Sequence, residues 1–435
     1  MAALSAPDEA RASRAVPAGK TVRGVLVVPP SKSVSHRYLN LALLTRQPLS
    51  IERLLDAEDI RHFRAALDAL GFRSEESGDV LRIEPPAGAP RAAEIFCGNA
   101  GTLYRFLTAS LTVVPGRWVL DGSLRLRERP IAPLVDALRA LGARIRYAEQ
   151  EGRAPLEIEG ATLEGGETTL DAAESSQYAS ALLMALARAR RRSRVRLEAL
   201  VSSPYLEITL AALREFGVEV ERDAAGAVLE IEPGGLRSPG RVVVEGDYSA
   251  ATYPAVAALV TGGTVSLLGL RRDSPQGDRD FFRLLEAAGA RVEGTPQGVE
   301  VRPGRLRAIR ADMRDMPDQV PTLAALAPFL EGTTEITGAA HLRIKESDRL
   351  SAMASELDRV GVPVRELADG LVVEGCWHDR QPPSDPVLID AHDDHRIAMA
   401  MALVGLRRPG VVVAHPDVVG KSYPNFWRDL ETLLG

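Results

Sequence analysis

Of the 53 basic side chains in this 435-residue chain only four are lysines: Lys20, Lys32, Lys345 and Lys421. A chain that uses arginine almost everywhere keeps lysine where a compact point charge with a movable pKa is wanted, because the planar guanidinium stays charged. Lys20 ends a polar N-terminal stretch, whereas the other three fall in the most polar motifs. RIKESDR (343–349) holds Lys345, Glu346 and Arg349, and DDHR (393–396) holds His395 and Arg396. GKSYP (420–424) holds Lys421, and PDQ (317–319) sets Asp318 at a helix start. Four cations near two carboxylates suit an anionic substrate with acid/base chemistry beside it. A carboxyl group buried near another carboxylate stays protonated at neutral pH, while one beside Lys and Arg stays ionised; that division would give one acid and one base. An exposed ion-pair network fits the same letters, since Lys345 and Arg349 are i,i+4.

The first half of the chain offers neutral donors and helix starts. SKSVSHR (31–37) follows the strand-like VLVVPP and opens a helix with Ser31, Lys32 and Ser33, with Arg37 one turn beyond Ser33 on the same face, so that amides, hydroxyls and two cations converge as a phosphate requires. GxxxxGK[ST] is absent, so nucleotide hydrolysis has little support, and a plain N-cap with solvated charges is the alternative. GNAGT (98–102) lets a ligand approach the backbone at Asn99 and Gly101, or is a tight turn with an Asn cap. SSQY (175–178) and SSPY (202–205) present Ser175, Ser176, Gln177, Ser202 and Tyr205 to a polyhydroxy ring or a phosphate, or form hydroxyl-stabilised turns. His392 and His395 flank two aspartates, a metal-ligand composition, but the converging cations would repel a divalent ion and no metal is expected.

These motifs need elements to hold them, and the chain supplies those by repetition. A helical pattern closing on glycine recurs at Gly71, Gly142, Gly217, Gly289 and Gly361, spaced 71, 75, 72 and 72 apart, with the chain stopping at Gly435. Glycine just past a helix is a left-handed cap. A second helix with a polar start and an Ala/Leu-rich body recurs near Lys32, Asn99, Ser176, Tyr248, Asp318 and Asp394. The unit is β-α-β-α-β-β, six times over, which predicts an α/β protein of two domains with three units each. The cut falls near Pro30/Ser31 and Gly246/Asp247: residues 31–246 form a continuous domain, and 1–30 join 247–435 in the other. Two chain crossings at one boundary form a hinge. The sixth unit lacks its final hairpin, and TVRGVLVV (21–28) is expected to complete it.

Composition bounds the rest. The net charge of −6 argues against a nucleic-acid or anionic-membrane partner, and no apolar run approaches the roughly 20 residues that span a bilayer. Residues 1–19 read as a disordered tail with no signal-peptide pattern. Cys97 and Cys376 lack CxxC spacing, so a cytoplasmic protein is expected. A monomer is expected in the absence of an apolar interaction stripe.

SKSVSHR, GNAGT, RERP (127–130), SSQ, SSPY, PDQ, RIKESDR, DDHR and GKSYP occur in this order, and over residues 20–435 they resemble the EPSP synthase (3-phosphoshikimate 1-carboxyvinyltransferase) family of enolpyruvyl transferases. The resemblance implies an inside-out α/β barrel with helix starts aimed at a cleft. It implies transfer of enolpyruvate from phosphoenolpyruvate to the 5-hydroxyl of shikimate 3-phosphate, through a tetrahedral intermediate and without cofactor. Carried over, Lys32 touches both substrates. Ser33, Arg37, Ser175, Ser176, Ser202, Tyr205 and His341 hold shikimate 3-phosphate, and His341 stands where some relatives have Asn. Asn99, Gly101, Arg129, Arg349, Arg396 and Lys421 hold phosphoenolpyruvate, with Gln177 between the two. Asp318 is the proton acceptor, Glu346 the proton donor, and Lys345 assists; Asp318 and Lys345 also touch shikimate 3-phosphate. The rivals are the sister enzyme acting on UDP-N-acetylglucosamine, which carries a reactive Cys where GSLRLRERP (122–130) has none, and a non-catalytic anion-binding protein.

Overall fold

The structure, a computed structural model, describes residues 12–88 and 91–435. Among the described residues five of the six sheets are built alike, a parallel pair followed by an antiparallel hairpin, and in three of them the parallel pair is joined through a buried helix. Ala92–Phe96 runs parallel to Gly116–Asp121, which pairs antiparallel with Leu156–Gly160 and then Arg144–Tyr147. This is the β-α-β-α-β-β unit read from the glycine spacing. Gly71, Gly142, Gly217, Gly289 and Gly361 all have φ between 82° and 97°, the left-handed conformation that ends a helix.

The strand swaps differ from expectation. Arg23–Val27 does not complete the sixth unit; it lies parallel to Thr264–Leu268 as the first strand of the fourth. Its counterpart Arg241–Val243 returns from the end of the third unit to lie beside Leu49–Glu52 in the first. The sixth sheet, Val387–Ile389 with Val411–Ala414, is closed instead by Ser13–Ala15 in antiparallel register. Residues 12–19 of the expected tail are therefore partly strand, because an open sheet edge leaves unpaired N–H and C=O groups that a short segment can satisfy. Residues 1–11 lie outside the described residues.

The helices divide by burial. Lys32–Thr45, Gly101–Ser110, Gln177–Leu186, Tyr248–Thr261, Val320–Leu326 and His395–Gly405 are buried on nearly every side. A helix apolar all round has no solvent face to offer and becomes core. Helices such as Glu58–Ala69 and Arg349–Arg359 bury only one face and cover the outside. The buried apolar side chains gather into two clusters, one from Val34 to Val244, the other from Val16 to Val28 and Tyr248 to Leu434.

The chain passes between the clusters at Pro30 and Gly246, which pair as an antiparallel bridge. One carboxylate caps a helix from each cluster there: Asp247 Oδ1 accepts from Ala250 N at 3.1 Å and Oδ2 from Lys32 N at 2.9 Å. Gln276 is saturated at the same place. Its amide donates to Glu245 Oε1 and the Gly246 carbonyl, while its oxygen accepts from Tyr248 N and Ser31 Oγ. Satisfying orphan helix-start amides across the boundary fixes where the first helix points.

Candidate active site

Five of the six buried helices begin at or beside one cleft. Lys32, Ser33, Gly101, Thr102, Ser175, Ser176, Gln177, Asp318, His395 and Arg396 line it from helix starts, joined by Arg129, Ser202, Tyr205, Lys345, Glu346 and Arg349 from loops and outer helices. Nearly all are the motif residues singled out in the sequence. They converge because five of the repeats bring their inner helix starts to one place.

Arg349 organises the acidic wall. Its Nη1 donates to Asp318 Oδ1 at 2.9 Å, its Nη2 to Glu346 Oε2 at 2.7 Å and its Nε to Asp394 Oδ2 at 2.7 Å. Asp318 also accepts from Arg396 Nη2 at 2.7 Å and from the Tyr205 hydroxyl at 3.0 Å. Burial pushes the Asp318 carboxyl up, but Arg396, Arg349 and Lys345 overcome it and hold it well below the usual carboxylate range. Glu346 is likewise raised by burial and pulled lower still by Arg349 and Arg129. Where the residues alone suggest one ionised and one protonated carboxyl, a single guanidinium bridges the two and favours the ionised form of both. Lys345 is lowered to about 8, chiefly by burial, against the pull of Asp318.

The opposite wall is rich in donors. Arg105 Nη1 donates to Gln177 Oε1, and Gln177 Nε2 passes the chain on to Thr102 Oγ1. Arg129 is buried with Nε and Nη1 lacking any hydrogen-bond acceptor, its nearest anion being Glu346 at 3.7 Å. Buried donors left unpaired are costly, so this guanidinium is poised for an anionic ligand. Both ring nitrogens of His395 are also buried without a hydrogen bond among the described residues, Asp394 Oδ1 lying 3.6 Å from Nδ1. Burial, then Lys32 and Arg396, hold that ring neutral. Ser202 sits at φ 53°, a strained conformation for a non-glycine residue, which turns its hydroxyl toward His341 Nε2 at 3.3 Å.

Some expected ligands stand apart from the cleft surface. Arg37 is buried behind it, donating to the Ser33 and Tyr205 carbonyls and to Thr209 Oγ1. His341 is lowered to about 4 by burial and Lys345, and reaches the cleft through Ser202. Asn99 receives Lys421 Nζ on its main-chain oxygen at 2.8 Å, while its own Oδ1 is buried without a partner. His392 turns to Glu356 at 3.0 Å and Asp394 to Arg349, so the HDDH residues do not share one focus.

Two residues escaped the sequence reading. Asp59, at 3% exposure, places Oδ2 3.2 Å from Lys32 Nζ and Oδ1 3.2 Å from Lys421 Nζ, joining a lysine of each cluster. It sits at the start of an amphipathic helix, where acids are commonplace caps, so nothing marked it. Asp278 is buried beside Asp318, accepting from Ser249 and Gln319 while its Oδ1 has no partner.

Burial, then the charge of Asp318, raises Asp278 to about 7. An unfolded Asp titrates near ~3.9, so between these values the folded chain binds the extra proton and stability from this group falls as pH rises. Asp278→Asn is expected to melt higher than the parent at pH 8, with the gap closing toward pH 4. His36, His341 and His395 act in the opposite sense but cancel in that difference. A gap independent of pH in melting curves across this range would remove the assignment.

The likeness to known proteins agrees with this geometry. The sequence model of EPSP synthase (3-phosphoshikimate 1-carboxyvinyltransferase) matches residues 16–430. The 3-phosphoshikimate 1-carboxyvinyltransferases of Vibrio vulnificus and Syntrophobacter fumaroxidans are 41% and 43% identical over 422 and 416 residues, covering 95% of this chain and 97% of each relative. The solved EPSP synthase of Acinetobacter baumannii superposes with a TM-score of 0.80 at 28% identity, covering 97% of this chain and 98% of that one. Fold and cleft together define a two-domain inside-out α/β transferase. The chain belongs to the EPSP synthase family.

Proposed function

We propose that this chain transfers the enolpyruvyl group of phosphoenolpyruvate to the 5-hydroxyl of shikimate 3-phosphate, giving 5-enolpyruvylshikimate 3-phosphate and phosphate for aromatic amino acid synthesis. The observation that carries the reading is the Asp318–Arg349–Glu346 bridge facing the unpaired donors of Arg129 across one cleft. Residues 31–246 act as one domain, holding shikimate 3-phosphate through Lys32, Ser33, Ser175, Ser176, Gln177, Ser202 and Tyr205, with Arg37 and His341 bracing that wall. Residues 1–30 with 247–435 act as the other, supplying Asp318, Lys345, Glu346, Arg349, Arg396 and Lys421. The reading is of a monomer acting in the cytoplasm, where thiols such as those of Cys97 and Cys376, both free, stay reduced.

In the addition, Asp318 takes the 5-hydroxyl proton as that oxygen bonds C2 of phosphoenolpyruvate, and Glu346 gives a proton to C3. In the elimination, Glu346 takes a C3 proton back while the C2–O bond to phosphate breaks, and the proton on Asp318 leaves with phosphate. Glu346 has to hold a proton when phosphoenolpyruvate is bound: the incoming anion competes for Arg349 and Arg129, the carboxyl rises as they are drawn away and takes a proton from solvent, and it gives that proton up again when the products leave. Lys32 and Lys345 offset the charge on the transferring groups, and a dry closed cleft supplies proximity. The guanidinium and ammonium groups supply the positive charge, so the reading needs no metal and no cofactor.

Phosphate release from phosphoenolpyruvate, with a chelator present, tests this. Release that requires shikimate 3-phosphate is expected. Release with UDP-N-acetylglucosamine instead would assign the sister activity, and silence with both would leave an anion-binding protein. A narrower result is expected at Gly101, where an added Cβ would lie 2.6–2.8 Å from the Arg129 guanidinium. That flexible side chain can withdraw, so Gly101→Ala should fold normally, with KM for phosphoenolpyruvate raised about tenfold, as the loss of one charge-assisted contact implies, and kcat little changed. An unchanged KM would detach Arg129 from that substrate.

A further inference from the structure

Lys345 and Glu346 lie on an irregular run between the turn Ala340–Ile344 and the helix Arg349–Arg359. Neither of their carbonyls receives a main-chain hydrogen bond among the described residues. Both are held by one side chain from the other cluster: Arg125 Nη2 donates to the Lys345 carbonyl at 2.8 Å and Nε to the Glu346 carbonyl at 3.0 Å. Arg125 projects from the short helix Leu124–Arg127, which Ser123 Oγ caps and which Glu128 steadies through Arg125 Nη1 at 2.6 Å. It does not line the substrate cleft.

We infer that Arg125 is a positioning residue which, on closure of the two domains, seats the Lys345–Glu346 backbone so that their side chains meet the reacting atoms. The inference rests on the acid/base reading of Glu346 and Lys345. Its physics is separate: two adjacent carbonyls with no other protein donor are fixed by a planar fork of fixed spacing. A run so held is in register only while the clusters are together, which ties the acid/base groups to the closed form. A displacement of about 1 Å at such groups costs up to about 10²-fold in rate.

Arg125→Ala is expected to lower kcat about 10- to 100-fold, by the same positional argument. Binding of shikimate 3-phosphate alone, measured by calorimetry, should stay within about twofold, and the melting temperature should hold, because the side chain is about one-third exposed. Arg125→Lys should recover part of the rate, since a mobile ammonium lacks the two fixed nitrogens from which Arg125 meets the carbonyls. Turnover near the parent's in Arg125→Ala, full recovery with Lys, or a parallel loss of melting temperature and shikimate 3-phosphate affinity would each overturn the inference. Glu346→Gln measured alongside keeps the two ideas apart: turnover lost there but kept in Arg125→Ala sinks only the positioning role.

Discussion

Asp318→Ala and Glu346→Gln each lower kcat by about 10²- to 10⁴-fold, the usual worth of a positioned acid or base, while shikimate 3-phosphate still binds. The expectation follows from what the two carboxylates hold. Asp318 accepts from Arg349, Arg396 and Tyr205, so its removal frees two buried guanidinium groups and a hydroxyl. Those groups attract anions, so affinity survives while the proton acceptor is gone. Glu346→Gln keeps the shape and one acceptor toward Arg349 but removes the proton that C3 must receive. Single-turnover phosphate release together with calorimetry on shikimate 3-phosphate separates chemistry from binding. Near-parental turnover in both variants would dismiss the acid/base assignment.

The second large effect belongs to Asp59. Its carboxylate lies between Lys32 and Lys421, which come from different clusters, and those lysines, with burial opposing them, hold it below the usual range. Asp59→Asn leaves two ammonium groups facing each other across a buried amide, and at a few ångströms like charges repel by several kcal/mol at an effective dielectric near ~20. Lys421 retains the Asn99 carbonyl, but among the described residues Lys32 has no other anion within 4 Å. We expect kcat/KM for both substrates to fall about 10²-fold, the cost of misplacing a substrate-holding charge, with domain closure weakened. Added phosphate, an anion able to sit between the lysines, should raise the melting temperature of Asp59→Asn more than that of the parent. Steady-state kinetics within threefold of the parent would show that the lysines need no such bridge.

Much of this was legible in the residues. The five spaced glycines marked helix ends because a left-handed glycine is a common way to close a helix into a following strand, and all five carry that φ. The polar helix starts were legible as anion sites or as plain caps, and their meeting at one cleft is what the fold adds. The scarcity of lysine pointed to Lys32, Lys345 and Lys421, and all three lie within the same charged network. Three things were not legible. Asp59 has the look of an ordinary first-turn acid until Lys421, more than 350 residues away in sequence, arrives beside it. Arg125 is one of 49 arginines, and its partners are main-chain carbonyls, which leave no mark on a sequence. The destination of strand Arg23–Val27 was misread because every sheet of the repeat offers a similar edge, and strand pairing is chosen by where the crossings at Pro30 and Gly246 place that segment.

Local patterns such as helix caps, apolar helix bodies and the repeat period act over a few residues, so the order of letters specifies them. The protonation of Asp318 and Glu346 could not follow from order, since it depends on a single guanidinium reaching both. Charge interactions act through space and are set by distance and burial, and those exist only once the two halves of the chain have folded around one cleft.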